Sequence, residues 1–295
     1  MYILVSKRVH PDILLSYSQY EICDTAEKIT HPIIKECLKQ TNLKDHLVVL
    51  SYADIGARTG LGSSGSFTVG LLNSLYGYLG KTIEKEELAE LACHIQMNSL
   101  NQPSGKQDEY IATYGGIQCF DIAKNGKVSV TPLQISEYSK NELEKNLLFF
   151  DTGLTRSASN ILEDQKQTAH DIPEKIEHLR KIKNLGLRTK TELEKGNVDE
   201  FGHIMNEHWE AKKQTSQKIS NSSIDKLYET TKKLGAYGGK LIGAGGGGIF
   251  MLYVNDKQSK KDIRREFLSH EMKEIFLPFE SNGTNNIVNL SEGVQ

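Results

Sequence analysis

Asp108 follows the turn Pro103-Ser104-Gly105 at a predicted helix start. A carboxylate placed there either caps the helix or accepts a proton from a hydroxyl, and the helix dipole is expected to keep it ionised. Upstream, Gly60-Leu61-Gly62-Ser63-Ser64-Gly65 sits between a predicted strand at 46–52 and a helix from about Ser66. Glycines let a backbone approach a phosphate closely, and amides at a helix start bind anions. The Ser63 and Ser64 hydroxyls add donors or a neutral ligand for Mg2+. A Ser/Gly turn that merely caps a helix accounts for the same residues. Downstream, Gly243-Ala244-Gly245-Gly246-Gly247-Gly248 places five glycines in six residues just before a strand. So much backbone entropy is spent for close approach of a ligand or for dense backbone packing.

Both glycine runs satisfy G-x-G-x-x-G, yet neither has the setting of a dinucleotide site. The first lacks a following parallel strand ending in an acid, and the second precedes a strand instead of a helix. A P-loop fails because no Gly-Lys-Ser/Thr follows the first run. Of 295 residues, 38% are hydrophobic and 25% charged, with 36 Lys plus Arg against 38 Asp plus Glu. That balance describes a soluble globular chain of two domains and argues against a nucleic-acid partner. Without a long apolar run or a secretory signal, no membrane partner is expected and the location is read as cytoplasmic. Cys23, Cys37, Cys93 and Cys119 form no CxxC pair and read as reduced thiols. His94 and His208 read as satisfied structural histidines, and Trp209 as a core anchor. The cluster Lys257, Lys260, Lys261, Arg264 and Arg265 reads as the solvated face of a helix.

The elements that must position these groups follow from periodicity. A β-like run opens the chain at Tyr2–Val5, a short helix is predicted over 32–42, and His46–Tyr52 reads as a strand. Phe67, Leu71, Leu72, Leu75 and Leu79 recur at helical spacing, with Gly80 as the stop. A second helix is predicted from Ile83 to Leu100. Asn125-Gly126 between apolar runs predicts a hairpin with a type I′ turn. Leu147–Phe150 reads as a strand, the region 157–234 as helical, and the tail as strand, helix and strand. Glu84, Glu86, Glu87 and Glu90 read as a solvent-facing surface. The mixture predicts α+β, with a domain boundary between Asp151 and Pro173.

In this order, GLGSS opening a helix, then PSGxxD, then Lys240-Leu241-x-Gly-Ala-Gly-Gly-Gly-Gly, the chain resembles the GHMP kinases. Within that family it looks most like heptose kinases, through Arg58–Gly70, Gln107-Asp108, Tyr114-Gly115-Gly116, Thr152–Arg156 and Trp209–Lys212. The resemblance implies an N-terminal domain like ribosomal protein S5 domain 2 over 1–155 and a ferredoxin-like C-terminal domain over 156–295. It implies ATP and Mg2+ as cofactors and a small-molecule sugar phosphate as substrate, the anomeric hydroxyl of D-glycero-D-manno-heptose 7-phosphate being phosphorylated. Gly60, Leu61, Gly62, Ser63, Ser64 and Gly65 would then hold the ATP phosphates, with Ser64 and Gln96 at the metal. Asp108 would serve as the base. Gly243, Ala244, Gly245, Gly246, Gly247 and Gly248 would close over the substrate and phosphate region, and Arg156 would hold the sugar's phosphate. A homodimer is left open.

Four departures from the family pattern stand out. The opening R-x-P-x-R strand and GGGTD-type loop are absent, so the N-terminal domain is expected to be incomplete, a fragment or the result of a misassigned start. Gln96 stands where the family carries a Mg2+-ligating Glu. A loss of roughly 3 kcal/mol there slows the reaction about a hundredfold. Gly56 replaces a common Pro, and Ile242 a common Thr. The alternative to a working kinase is therefore a kinase-like chain that binds nucleotide without efficient turnover.

Overall fold

The computed structural model describes residues 1–56, 59–154, 161–164 and 173–288. They divide into two units. Unit 1 takes the described residues within 1–57, 62–116 and 280–295, and unit 2 those within 58–61 and 117–279.

Unit 1 contains β1 (Tyr2–Lys7), β2 (Ile13–Ser16), β3 (Tyr20–Cys23), α1 (Pro32–Thr41), β4 (Leu47–Tyr52), α2 (Ser63–Tyr78), α3 (Lys85–His94) and α4 (Gln107–Tyr114). Its sheet runs β1-β4-β2-β3. Strand β4 is antiparallel to β1, with Tyr2 opposite Tyr52, and parallel to β2, with Ile13 opposite Leu47. Alternation decides which face is covered: Ile13, Leu15, Leu47 and Val49 are buried against Ile34 and Leu38 of α1 and Leu71, Leu72 and Leu75 of α2. Each such leucine contributes about 1.5–3 kcal/mol by burial, so this layer holds α2 in place. The end of α2 is as expected: Gly80 (φ +65°) follows it, with Lys81 N–H on Tyr76 O at 2.9 Å and Gly80 N–H on Gly77 O at 3.0 Å.

Unit 2 contains β5 (Gln118–Ile122), β6 (Val128–Pro132), α5 (Glu137–Asn146), β7 (Leu147–Asp151), α6 (Pro173–Glu194), α7 (Val198–Lys213), α8 (Ser222–Lys233), β8 (Gly238–Leu241), β9 (Ile249–Tyr253), α9 (Lys257–Ser269) and β10 (Lys273–Ile275). Its four-stranded sheet runs β10-β7-β9-β8, antiparallel throughout. Leu148, Phe150, Phe250 and Leu252 project into a core with Trp209, Tyr228 and Phe267. The Phe150 and Phe267 rings stack with centroids 3.9 Å apart.

The two compact units meet along the chain at 116/117. The hairpin of β5 and β6 packs Ile117 and Leu133 with Leu147 and Tyr253, and β7 is the inner partner of β9 and β10. The tail returns to unit 1, where Glu280 O accepts Gly116 N–H at 2.7 Å and Asn73 Nδ2 donates to Thr284 Oγ1 at 3.2 Å.

Local readings were corrected in four places. The hairpin turn is not type I′: only Gly126 has positive φ (+83°), closing a three-residue loop after Ala123. The four-residue strands β2 and β3 escaped detection because so few residues show alternation. Lys260 is buried, donating to Asn146 Oδ1 at 2.7 Å and Lys145 O at 3.0 Å, so it ties α9 to the end of α5 instead of facing water. Glu90 is half-buried and paired instead of standing free on a solvent face. Lys106 Nζ lies 2.6 Å from it, and Tyr110 Oη donates at 2.5 Å. All four cysteines are free thiols, as expected. Among the described residues, no helix is long and apolar enough to cross a membrane.

Candidate functional site

In unit 1, α2 begins at Ser63, three residues earlier than periodicity suggested. Gly62 adopts the left-handed conformation (φ +66°) and its carbonyl accepts Ser66 N–H at 2.9 Å, so both serines sit in the first helical turn. Their amides belong to the group that no helix satisfies internally, which makes this end an anion-binding place.

Asp108 lies in the first turn of α4 and is pressed against that end of α2. A Cβ on Gly62 would fall 3.0 Å from Asp108 Cγ, and one on Gly65 would fall 2.9 Å from Asp108 Cβ. The side chain stays open to solvent, but desolvation by the crowded surroundings raises its pKa. Desolvation thus works against the helix dipole at this carboxyl. Its neighbour Glu109 is buried beside Cys93, and desolvation, reinforced by Asp108, pushes that carboxyl up to about 7. Glu90, against the raising effect of burial, is held below the usual carboxylate range by hydrogen bonds from Lys106 and Tyr110.

The helix predicted from Ile83 to Leu100 splits into α3 and a π-helical turn over Ile95–Ser99. Such turns re-aim side chains. Here Gln96 is turned inward and is 3% exposed. Its amide Nε2 donates to Ser64 Oγ at 2.6 Å, Thr68 Oγ1 at 2.7 Å and Ser64 O at 3.3 Å. Structure thus brings Ser64 and Gln96 into direct hydrogen-bond contact. The donor set does not fit Mg2+ by itself, however. It offers hydroxyls and an amide, no carboxylate, and an N–H aimed at the serine oxygen. No cluster of three His, Cys, Asp or Glu able to hold a metal occurs among the described residues.

In unit 2, Thr59–Leu61 and Gly243–Gly248 lie backbone against backbone. A Cβ on Gly60 would fall 2.6 Å from Ile242 O, and one on Gly248 (φ +88°) 2.4 Å from Thr59 O. Ile249 N–H donates to Thr59 O at 3.2 Å. Dense backbone packing, the alternative to ligand approach, therefore accounts for these two glycines. It leaves the N–H groups of Gly243, Ala244, Gly245 and Gly247 without a hydrogen-bond partner among the described residues, while those of Gly246 and Gly248 bond Ile219 O and Leu154 O. Arg156 lies outside the described residues. Sequence reasoning quoted Ser104, Lys212 and Lys240 within motifs but gave them no role; Ser104 has a buried Oγ without a partner among the described residues, and the two lysines lie beside the glycine loop. An apolar cavity of about 430 Å³ in unit 2, lined by Ile117, Leu143, Phe149, Leu193 and Phe279 among others, had no sequence signal because its walls come from distant segments.

Residues 25–116 match the family described as GHMP kinases N terminal domain, and residues 189–274 match GHMP kinases C terminal. Together the matches span more than half of the chain, and they fall on the two glycine loops and Asp108. The chain belongs to the GHMP kinase family. It is 32% identical over 219 residues to a D-glycero-alpha-D-manno-heptose 7-phosphate kinase of Campylobacter jejuni, a match covering 73% of this chain and 64% of that one. The chain thus spans just under two thirds of that relative's length. A mevalonate kinase of Methanocaldococcus jannaschii is 27% identical over 210 residues, covering 70% of this chain and 62% of its own. The fold is similar to that of a D-glycero-D-manno-heptose 1-phosphate kinase from Bacteroides thetaiotaomicron, with a TM-score of 0.76 and 23% identity over 95% of this chain and 84% of that one.

Proposed function

We propose that this chain transfers a phosphoryl group from ATP to a hydroxyl of a phosphorylated sugar. D-glycero-D-manno-heptose 7-phosphate, acting through its anomeric hydroxyl, is the first candidate. The carrying observation is the Asp108 carboxyl packed against Gly62 at the start of α2, which sets a proton acceptor beside unsatisfied backbone N–H groups. In this reading the amides at Ser63, Ser64 and Gly65 hold phosphate oxygens, and Asp108 orients the acceptor hydroxyl. Its oxygen forms a bond to the γ-phosphorus as the bond to ADP breaks, and the hydroxyl proton passes to the carboxylate and then to water. Desolvation of Asp108 strengthens it as a base. The N–H groups of Gly243, Ala244 and Gly245 that the glycine-loop packing leaves without a partner among the described residues suit contact with phosphate. The names of the Campylobacter and Bacteroides proteins support a phosphorylated heptose, though they place the phosphate at different positions.

The ferredoxin-like assignment of the second domain is supported by the order β10-β7-β9-β8, which is the sequence order 4-1-3-2 of its sheet. The S5-like assignment of the first remains part of the same proposal, as do Mg2+ as cofactor and a cytoplasmic location.

Turnover of heptose 7-phosphate with Mg-ATP by the folded chain tests the main reading, and absence of product rejects it. One observation favours a second reading, a nucleotide-binding protein with weak turnover: Gln96 occupies Ser64 Oγ with an N–H and brings no charge. Nucleotide binding without product formation would establish that reading.

A further inference from the structure

We propose that Lys212 and Lys240, with His208 beside them, form a seat for a phosphate group next to the Gly243–Gly248 loop of unit 2. The proposal deepens the kinase reading, and it rests on that reading only for the identity of the molecule that carries the phosphate.

The geometry begins with α7 and β8. A Cβ on Gly238 would fall 2.1 Å from Gly202 O and 2.6 Å from Asn206 N, so strand and helix are in backbone contact. Lys240 stands on that strand. His208 and Lys212 are four residues apart on the helix and therefore share a face. Lys212 Nζ donates to Gly243 O, which fixes its ammonium at the mouth of the glycine loop. His208 Nδ1 is buried and has no partner among the described residues, so it is not the satisfied histidine that sequence suggested.

Charge separates this cluster from the other basic residues around it. Lys213, the next residue, bonds Glu210 at 3.0 Å and reaches Asp225 at 3.5 Å. Lys212 and Lys240 make no ion pair among the described residues, and no carboxylate stabilises the charge of either lysine or of His208. Burial, with repulsion from Lys240, pushes Lys212 down to about 7. Burial alone pushes Lys240 down to about 8. His208 is driven to about 3 by burial and then by the two lysines. Half-buried cations facing one another are costly unless an anion joins them.

Neighbouring backbone supplies matching donors. The free N–H groups of Gly243, Ala244 and Gly245 belong to a run of residues dominated by positive φ, the arrangement that makes anion-binding concavities. Two ammonium groups plus several amides suit a dianionic tetrahedral group better than a carboxylate. Its source is either the sugar's own phosphate ester or a nucleotide phosphate.

Isothermal titration of the full chain with inorganic phosphate, ATP and heptose 7-phosphate, at ionic strength matched with chloride, tests the seat. Lys212→Met and Lys240→Met are each expected to weaken inorganic phosphate at least tenfold, while Lys213→Met, whose charge is already paired with Glu210 and Asp225, leaves it unchanged. Equal phosphate affinity in the wild type and both lysine variants would overturn the proposal. A matching loss for heptose 7-phosphate alone assigns the seat to the sugar, and a loss for ATP alone assigns it to the nucleotide. Should the variants fail to fold, the wild type with carbon-13 dimethylated lysines provides the reading. Two resonances that titrate low should move upward with saturating phosphate, and no movement overturns the seat. Failure of the kinase reading would show as absent turnover with these isotherms intact, so the two outcomes are distinguishable.

Discussion

The side-chain amide of Gln96 donates a 2.6 Å hydrogen bond to the hydroxyl of Ser64, thirty-two positions earlier in the chain. The contact neutralises what would otherwise be a lone hydroxyl at the start of α2, and it does so without charge. Ser64 is thereby held in one orientation together with Thr68.

Replacing Gln96 with glutamate tests what that lost charge means. A carboxylate there is buried beside two hydroxyls and a backbone carbonyl, with no cation. Gln96→Glu is expected to lower unfolding free energy by about 1–3 kcal/mol at pH 8. Stability should recover on acidification, because burial raises the new carboxyl's pKa and its protonated form is the one that fits. Denaturant unfolding at pH 5 and pH 8 reads this. A rise in Mg-ATP turnover in the same variant marks the weak-turnover reading of the natural chain.

Asp108→Asn keeps the shape of the contact with Gly62 and removes the proton acceptor. A fall in kcat of about 10²–10⁴ is expected. Affinity for ATP should be unaltered, since the backbone amides are untouched. Steady-state rates and nucleotide titration separate the two effects, and full activity in this variant would remove Asp108 from the chemistry.

Gly65→Ala sets two effects against each other. Alanine inside a helix is favoured over glycine by about 1 kcal/mol. Its Cβ, however, would lie 2.9 Å from Asp108 Cβ and 3.1 Å from Glu109 N, a conflict with backbone that cannot move cheaply. Overpacking of this kind costs about 1–3 kcal/mol, so the contact wins and the variant is expected to be less stable. Displacement of α4 should lower activity alongside the melting temperature.

Glu109 makes stability depend on pH in a stated direction. Its folded pKa, about 7, lies above the ordinary value of 4.5. The native state therefore binds the extra proton, and the contribution to stability is fully present below pH 4.5 and lost as pH rises through 7. A shift of this size is worth roughly 3 kcal/mol. Glu109→Gln mimics the protonated acid, so it should stabilise the chain at pH 8 and change little at pH 4.5. Unfolding curves at the two pH values provide the comparison.

Local pattern was enough for much of this protein. Apolar spacing set α1, α2 and β4, Gly80 set the end of α2, and the ordered run of glycine loops and Asp108 set the family. Each element or single loop here depends on residues within about one or two turns of each other, and such neighbours interact whatever the rest of the chain does. Other features needed the chain to close on itself. The inward turn of Gln96 onto Ser64, the burial of Glu109 and the convergence of Lys212 with Lys240 join residues many positions apart. So does the return of the tail beyond Glu280 to unit 1. Composition gives no sign of such pairings, because the free energy of a charge or an amide is decided by what surrounds it in space. Sequence showed the family of this chain, and folding decided which of its polar groups are buried, charged or paired.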